Sequence, residues 1–380
     1  MEVDLYNFDH GFSQEKDFQI GGYKIRVTSQ HCDNLKVLPR RGKTAFICDE
    51  NGNRAIERIE AVEGHAAVTA TLIIDENSVT ESKIYQSGEG KDSIHDFVLV
   101  LSFLTGRRVC IESELELADS KQYLDPVVSK NFFYNPLIDI NKGLDKIASN
   151  NLGTVFYNLV HARTLYDLPA MCFYTSSVCE VLSTRVCKEK GYTKYPLKVS
   201  EHSIRNKVSA KLKSSVLERA KALVLRMLDA ENYTDDILDD LVSRVSIPTS
   251  PSAIYKMEKF LAELKLFPEA PTKEDKKRLK HLNKARNSIV HTGDVLTMEG
   301  MSFSRRAEVT ITITILLLSI SELYFAKHIF EITDFLIQKE ESEIKKYFIS
   351  GEFRGGKVFE ESYEDFISRV EKTWVEEGVI

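Results

Sequence analysis

The stretch KARNSIVHTGD, Lys284 to Asp294, places an arginine (Arg286), an asparagine (Asn287) and a histidine (His291) shortly before Gly293. Histidine titrates near neutrality, so it can take up or give away a proton during a reaction. Arginine presents a planar fork of donors to a developing anionic charge. In the last turn of a helix, the negative end of the dipole favours imidazolium, which suits a general acid more than a general base. The same residues also fit an ordinary helix C-terminus, and the helix that carries them decides how they can be used.

That helix is PTKEDKKRLKHLNKARNSIVHTGD. Thr272 followed three residues on by Asp275 resembles a capping box, Glu274 and Asp275 suit the positive N-terminal end, and Gly293 is expected to close the other end. At about 100° per residue, Leu279, Leu282, Ala285 and Ile289 fall on one side with Val290 at its edge. Lys276, Lys277, Lys280, Lys284, Asn287 and His291 fall on the opposite side. Such a charged stripe is ordinarily a solvated face. The sharper reading is a surface that tracks phosphates and delivers a polyanion to His291, because lysines hold nucleic-acid backbones without reading their sequence.

Arg286 lies near the core side, about 140° from His291 on the same wheel. A buried guanidinium needs a carboxylate. The best candidate is Glu180 in SSVCEVLSTRVC, an acid among apolar or small residues. Two readings stand for Arg286. It anchors two helices through Glu180, or it reaches a cleft along its own stem or across an interface with a second copy of the chain.

Around this helix the chain reads as an α+β protein in two main regions. Residues 1–125 form a β-rich domain in which GYKIRVTS, TAFICDE, AAVTATLIID and RRVCIESELEL alternate apolar and polar residues between turn signals. One helix, SIHDFVLVLSFLTG, interrupts them and ends on Gly106. A connector over 126–150 leads into a helical domain over 151–345, and a tail over 346–380 carries a last short helix. The helices are expected over 142–167, 169–191, 200–228, 234–245, 250–265, 272–292 and 304–340. EVTITITI, at 308–315, alternates like a strand, but Val309, Ile313, Leu316, Leu317, Ile320, Leu323 and Tyr324 keep a helical apolar face, which favours helix.

At 380 residues and 43% hydrophobic side chains the chain can build more than one core. Its net charge of −6 argues against a nucleic-acid coat over the whole surface and leaves room for a local basic face. The N-terminus lacks the zones of a secretory signal, and the longest apolar-rich run, Val309 to Ile320, is too short to span a bilayer. A cytoplasmic protein with no membrane partner is expected. The cysteines lack C-x-x-C spacing, and Cys172, Cys179 and Cys187 read as core packing. Asp236 and Asp240 have a spacing that could share a divalent ion, but exposed acidic helix is the ordinary meaning, so no metal site is assigned. In SGEGKDS, Tyr85 and Asp92 stand where a phosphate loop needs glycine and Ser/Thr. The isolated histidines His31, His65, His95, His161, His202 and His328 read as surface or satisfied core.

ARNSIVHTGD resembles the signature of HEPN domains, and its RN-x-x-x-H-x-G form is most similar to the Apea-like branch. The upstream helix with Glu180 and the long apolar helix after the motif fit that pattern, and DFVLVLSFLTGRRV is similar to a segment in the N-terminal domains of such proteins. The resemblance implies a metal-independent endoribonuclease of defence or toxin type, without cofactor, with a composite site in a homodimer. His291, Arg286 and Asn287 would form that site, and Lys276, Lys277, Lys280 and Lys284 would hold the RNA backbone. A ribose 2′-hydroxyl would lose its proton to attack the adjacent phosphate, and the 5′-oxygen would gain one to leave. A two-fold dimer would supply one histidine for each step. The activity would be held in restraint and controlled by a phage-derived or protein trigger acting through the N-terminal domain. The alternative is a non-catalytic HEPN module for protein interaction or for RNA or nucleotide binding.

Overall fold

Strict alternation puts one face of EVDLY, KDFQI, YKIRV and VTATLI toward a core, and these segments pair into one antiparallel sheet. A computed structural model describes residues 1–39, 43–48, 54–59, 64–85, 89–117, 138–165, 167–192, 252–292, 303–333, 335–354 and 356–358. In it β1 (Glu2–Tyr6), β2 (Lys16–Ile20), β3 (Tyr23–Val27) and β6 (Val68–Ile73) lie in the order β1-β6-β3-β2. Leu5 pairs with Ala70 and Ile25 with Leu72, so the register stacks fully buried side chains on one face. A short helix, α1 (Ser29–Asn34), ties to the sheet through Asn34 Nδ2 donating to the Val68 carbonyl at 2.6 Å. β4 (Lys43–Cys48) and β5 (Arg54–Ile59) form a separate two-stranded ladder.

The apolar helix α2 (Ser93–Thr105) is buried along its whole length, and Tyr23 stacks on its Phe97 at 4.0 Å. It starts on an Asp92 capping box and stops at Gly106, whose φ of 74° lets the chain reverse without Cβ strain. Among the described residues, RRVCIESELEL, expected as a strand, makes a single bridge, between Tyr6 and Cys110. The Glu114 N–H then donates to the Ile111 carbonyl, and the backbone winds into a 3₁₀ turn over Glu112–Leu117.

The helical elements that follow are α3 (Ile140–Ser149), α4 (Gly153–Thr164), α5 (Leu168–Glu189), α6 (Ala253–Glu263), α7 (Lys273–Thr292), α8 (Phe303–Tyr324) and α9 (Phe335–Ser350), with a small hairpin of β7 (Glu352–Phe353) and β8 (Gly356–Lys357). Sheet plus helices make the fold α+β, as the patterning predicts. The stretch expected as one helix over 142–167 breaks between α3 and α4, because Asn151 adopts a left-handed φ of 51° and the Leu152 N–H turns back to the Ile147 carbonyl. The expected helices at 200–228 and 234–245, with Asp236 and Asp240, lie outside the described residues, as does the tail helix.

EVTITITI is helical. Thr310, Thr312 and Thr314 each donate a hydroxyl hydrogen bond to the carbonyl four residues back, at 2.7, 2.9 and 2.8 Å, which lets β-branched residues serve in a helix. The expected single helix over 304–340 is two. α8 runs into a π-helical turn at Phe325–Ile329, and Glu331, with φ of 55° and its carboxylate held by Lys142 and Lys146 at 2.6 Å each, starts a new direction before α9. The apolar segment also extends further than Val309 to Ile320. Arg306–Ile329, 24 residues, is long and apolar enough to cross a membrane, and 89% of its apolar window is buried within the protein. The extension arises because SELYFAKHI adds only Glu322 and Lys327 as charges. Arg163 on α4 pairs with Glu322, and Glu341 pairs with Lys327.

The core joins α2 to the helices. Phe103 of α2, Phe156 of α4, Phe325 and Phe330 meet with ring centroids 5.0–6.4 Å apart. Fully burying each such side chain contributes about 1.5–3 kcal/mol. Cys172, Cys179 and Cys187 are buried, as expected, and Cys179 Sγ lies 3.1 Å from Ser321 Oγ on α8. The chain divides into two compact units, Met1–Leu182 with Leu261–Ile380, and Ser183–Phe260. Sheet, α2 and most of the described helical residues belong to the first. Within the second, Lys256 Nζ donates to Thr184 Oγ1 at 3.2 Å and Lys259 lies over the rings of Tyr192 and Tyr255.

Candidate functional site

The helix that carries the RN-x-x-x-H stretch begins as its sequence predicts. The Thr272 N–H donates to Asp275 Oδ2 at 2.7 Å, and the Asp275 N–H donates back to Thr272 Oγ1 at 3.2 Å. This reciprocal pair satisfies two donors that a helix start otherwise leaves open. Asp275 is buried, 3.6 Å from the Arg278 guanidinium. Arg278 Nη1 in turn donates to the Phe348 and Ile349 carbonyls at 2.7 and 3.0 Å, at the end of α9. A cation at that point satisfies terminal carbonyls and complements the negative end of the α9 dipole. The fully buried Tyr347 returns a hydrogen bond from its hydroxyl to the Arg278 carbonyl at 3.0 Å. The first turns of α7 are therefore locked to α9 on one side.

Leu279 and Leu282 are buried, on the side the wheel assigns to the core. Lys276, Lys277, Lys280 and Lys284 are all exposed. Lys276, Lys280 and Lys284 follow one another at four-residue steps, about 6 Å apart along the axis, so the stripe is a continuous track of ammonium groups. One residue of this track was not among the expected site residues. His281 is half-buried beside Lys277 and Lys284, and burial together with those ammoniums holds its imidazole below the ordinary range. Its signal in the sequence is its position four residues after Lys277 and three before Lys284, where like charges oppose protonation.

The backbone of α7 stays helical through Thr292, so His291 stands in its last turn and Arg286 five residues earlier. On that backbone the two positions are separated by about 7.5 Å along the axis and about 140° around it. The position of His291 falls on the same face as Lys280 and Lys284. Asn287 is half-buried. The side chains of Ala285, Arg286, Ile289, Val290 and His291, and the expected stop at Gly293, lie outside the described residues.

Glu180 does not occupy the environment its neighbours predict. It is exposed on α5, next to Val181 at 46% exposure, while Cys179 and Leu182 are fully buried. The apolar and small residues around it turn away because α5 buries the stripe Cys172, Thr175, Ser176, Cys179, Leu182 and Ser183, and Glu180 stands about 100° off Cys179. Burial therefore places no demand on Glu180 for a cation, and a pairing with Arg286 involves a side chain outside the described residues. The most deeply buried carboxylate paired with an arginine among the described residues is Glu322, held by Arg163, which also donates to the Phe103 carbonyl at 3.3 Å.

Chemically, α7 offers a rigid start, an exposed cationic track and, at its far end, a titratable residue on the same face. The chain matches no protein-family model, and no curated protein or solved structure shows significant similarity to it.

Proposed function

We propose that this protein is a cytoplasmic, metal-independent endoribonuclease of HEPN type that acts as a homodimer in a defence or toxin role. The observation that supports this most is the unbroken helix Lys273–Thr292, which exposes Lys276, Lys277, Lys280 and Lys284 on the face that leads to the His291 position. The lysines hold the RNA backbone, a sequence-independent and salt-sensitive interaction. His291 moves protons between the ribose 2′-hydroxyl, which attacks the adjacent phosphate, and the departing 5′-oxygen. Arg286 offers its fork to the charge that builds on the phosphate, and Asn287 orients it. Two-fold symmetry brings a second His291, so one imidazole serves as base and the other as acid. The N-terminal region receives the trigger that releases this activity.

The test is cleavage of single-stranded RNA by the full chain in excess chelator, with analysis of the product ends. Products ending in 2′,3′-cyclic phosphate are expected. Strict dependence on added metal contradicts the mechanism, and cleavage by a protein that is monomeric at assay concentration contradicts the composite site. RNA binding with intact RNA under every activating condition would instead favour a non-catalytic binding module.

A further inference from the structure

The turn after α2 buries two consecutive arginines. Once Gly106 reverses the chain, the Arg107 N–H donates to the Ser102 carbonyl and the Val109 N–H to Ser102 Oγ at 3.0 Å, which folds the segment back under its own helix. Arg108 is 5% exposed, and its Nη1 is shielded from solvent with no hydrogen-bond partner among the described residues. A buried guanidinium is stable when its donors are matched by anionic or carbonyl oxygens. The nearby carboxylate, the buried Glu114, is already engaged by Lys91 Nζ at 3.0 Å. Among the described residues, Glu114 thus faces two cations, Lys91 and Arg108.

Its walls are aromatic and partly open. Tyr85 and Tyr157 meet edge to face at 5.8 Å, His161 lies parallel to Tyr157 at 5.9 Å, and Lys91 Nζ is 5.9 Å from the centre of the Tyr85 ring. Tyr85, Lys91, Tyr157 and His161 are all partly exposed. Among the described residues, no hydrogen bond engages the hydroxyl of Tyr85 or Tyr157 or a ring nitrogen of His161. Burial and the Arg108 charge both hold the His161 imidazole below its ordinary range, so near pH 7 it is a neutral donor and acceptor. Loose donors around a cation call for an anion, and partly exposed aromatic faces call for a flat ring. A fork of guanidinium donors fits phosphate oxygens, and tyrosine faces stack on nucleobases.

We propose that Arg108, Lys91, Tyr85, Tyr157 and His161 form a binding site for a nucleotide phosphate monoester, with the phosphate against Arg108 and the base against the tyrosine rings. The site is distinct from α7, and it stands or falls independently of RNA cleavage there. A free mononucleotide and the phosphorylated end of an RNA carry the same chemistry.

Calorimetric titration of the full chain with adenosine 5′-monophosphate, adenosine, inorganic phosphate and a short RNA with and without a 5′-phosphate tests the site. Adenosine 5′-monophosphate is expected to bind at least about tenfold more tightly than adenosine, as loss of a charge-assisted contact implies. Arg108→Gln, Lys91→Gln and Tyr157→Leu should each weaken it, the first by about tenfold or more. Tighter binding of the 5′-phosphorylated RNA than of the mononucleotide assigns the ligand to an RNA end, and the reverse assigns it to a free nucleotide. The proposal is overturned if neither phosphorylated ligand binds, or if adenosine binds as well as its monophosphate. It is equally overturned if Lys91→Gln and Tyr157→Leu, changes at partly exposed side chains, both keep wild-type affinity, and those two variants decide the matter should Arg108→Gln fail to fold.

Discussion

Arg163 on α4 and Glu322 on α8 form an ion pair with only 4% and 1% of their side chains exposed. The pair explains how an otherwise apolar helix carries an acid into the protein interior, and it joins two of the helices that meet at the Phe103–Phe156–Phe325 cluster. Removing one partner strands the other charge in a low-dielectric interior. Glu322→Gln should therefore destabilise the protein by about 3–5 kcal/mol, whereas Arg163→Met with Glu322→Met should cost much less. Urea unfolding of the single and double variants checks this, and equal losses would contradict it.

Gly143 on α3 faces the Phe330 ring, and a Cβ built there would come within 2.4 Å of it. The ring is itself packed on Phe103 and Phe156, so it has little room to yield. Gly143→Ala should lower stability by about 1–3 kcal/mol despite its better helix propensity. A midpoint unchanged or raised in thermal unfolding would contradict this.

His10 is fully buried, and its Nδ1 accepts the Phe12 N–H at 3.0 Å. Burial, opposed by Asp9 and reinforced by His31, lowers its pKa to about 4. The folded-state value is depressed below the unfolded one, so its contribution is complete above about pH 6.5 and is lost as pH falls toward 4. In that window the unfolded chain binds a proton that the folded chain refuses, for a total of about 3 kcal/mol. Unfolding free energies measured from pH 7 to pH 4 should fall accordingly, and His10→Gln should flatten that part of the profile.

What the sequence revealed depended on whether local rules decided the outcome. The start of α7, the stop of α2 at Gly106, the helicity of EVTITITI and the burial of Cys172 and Cys179 follow from capping and periodicity, and the structure has them. The break at Asn151 is announced only by Gly153 two residues on, and the break at Glu331 by no nearby glycine or proline. The first is set by the local left-handed turn at Asn151, the second by tertiary partners, Lys142 and Lys146, which lie about 190 residues away in the chain from Glu331. Glu180 looked buried because its neighbours are apolar, yet a single 100° step places it in solvent. Arg108 and Glu322 carried no spacing signal at all, because the groups that surround them come from other helices and loops. The lysine stripe was readable in full, and the reach of His291 and Arg286 beyond the α7 backbone was not, since it depends on side-chain contacts rather than on spacing.

The lysine track predicts a particular salt response. Each phosphate contact on single-stranded RNA contributes about 0.7 to the slope of log affinity against log salt. Lys276→Gln, Lys280→Gln and Lys284→Gln combined should therefore reduce that slope by about 2 and weaken binding to unrelated RNA sequences alike. An unchanged slope would show that the track is only a solvated face.

The most direct measurement is the rate of RNA cleavage in chelator by wild type and by His291→Ala, with folding of both confirmed by circular dichroism. Wild type is expected to cleave, with 2′,3′-cyclic phosphate ends, and the variant to lose about 10²-fold or more, the usual worth of a proton-transfer group. A folded His291→Ala protein that cleaves as fast as wild type would contradict this.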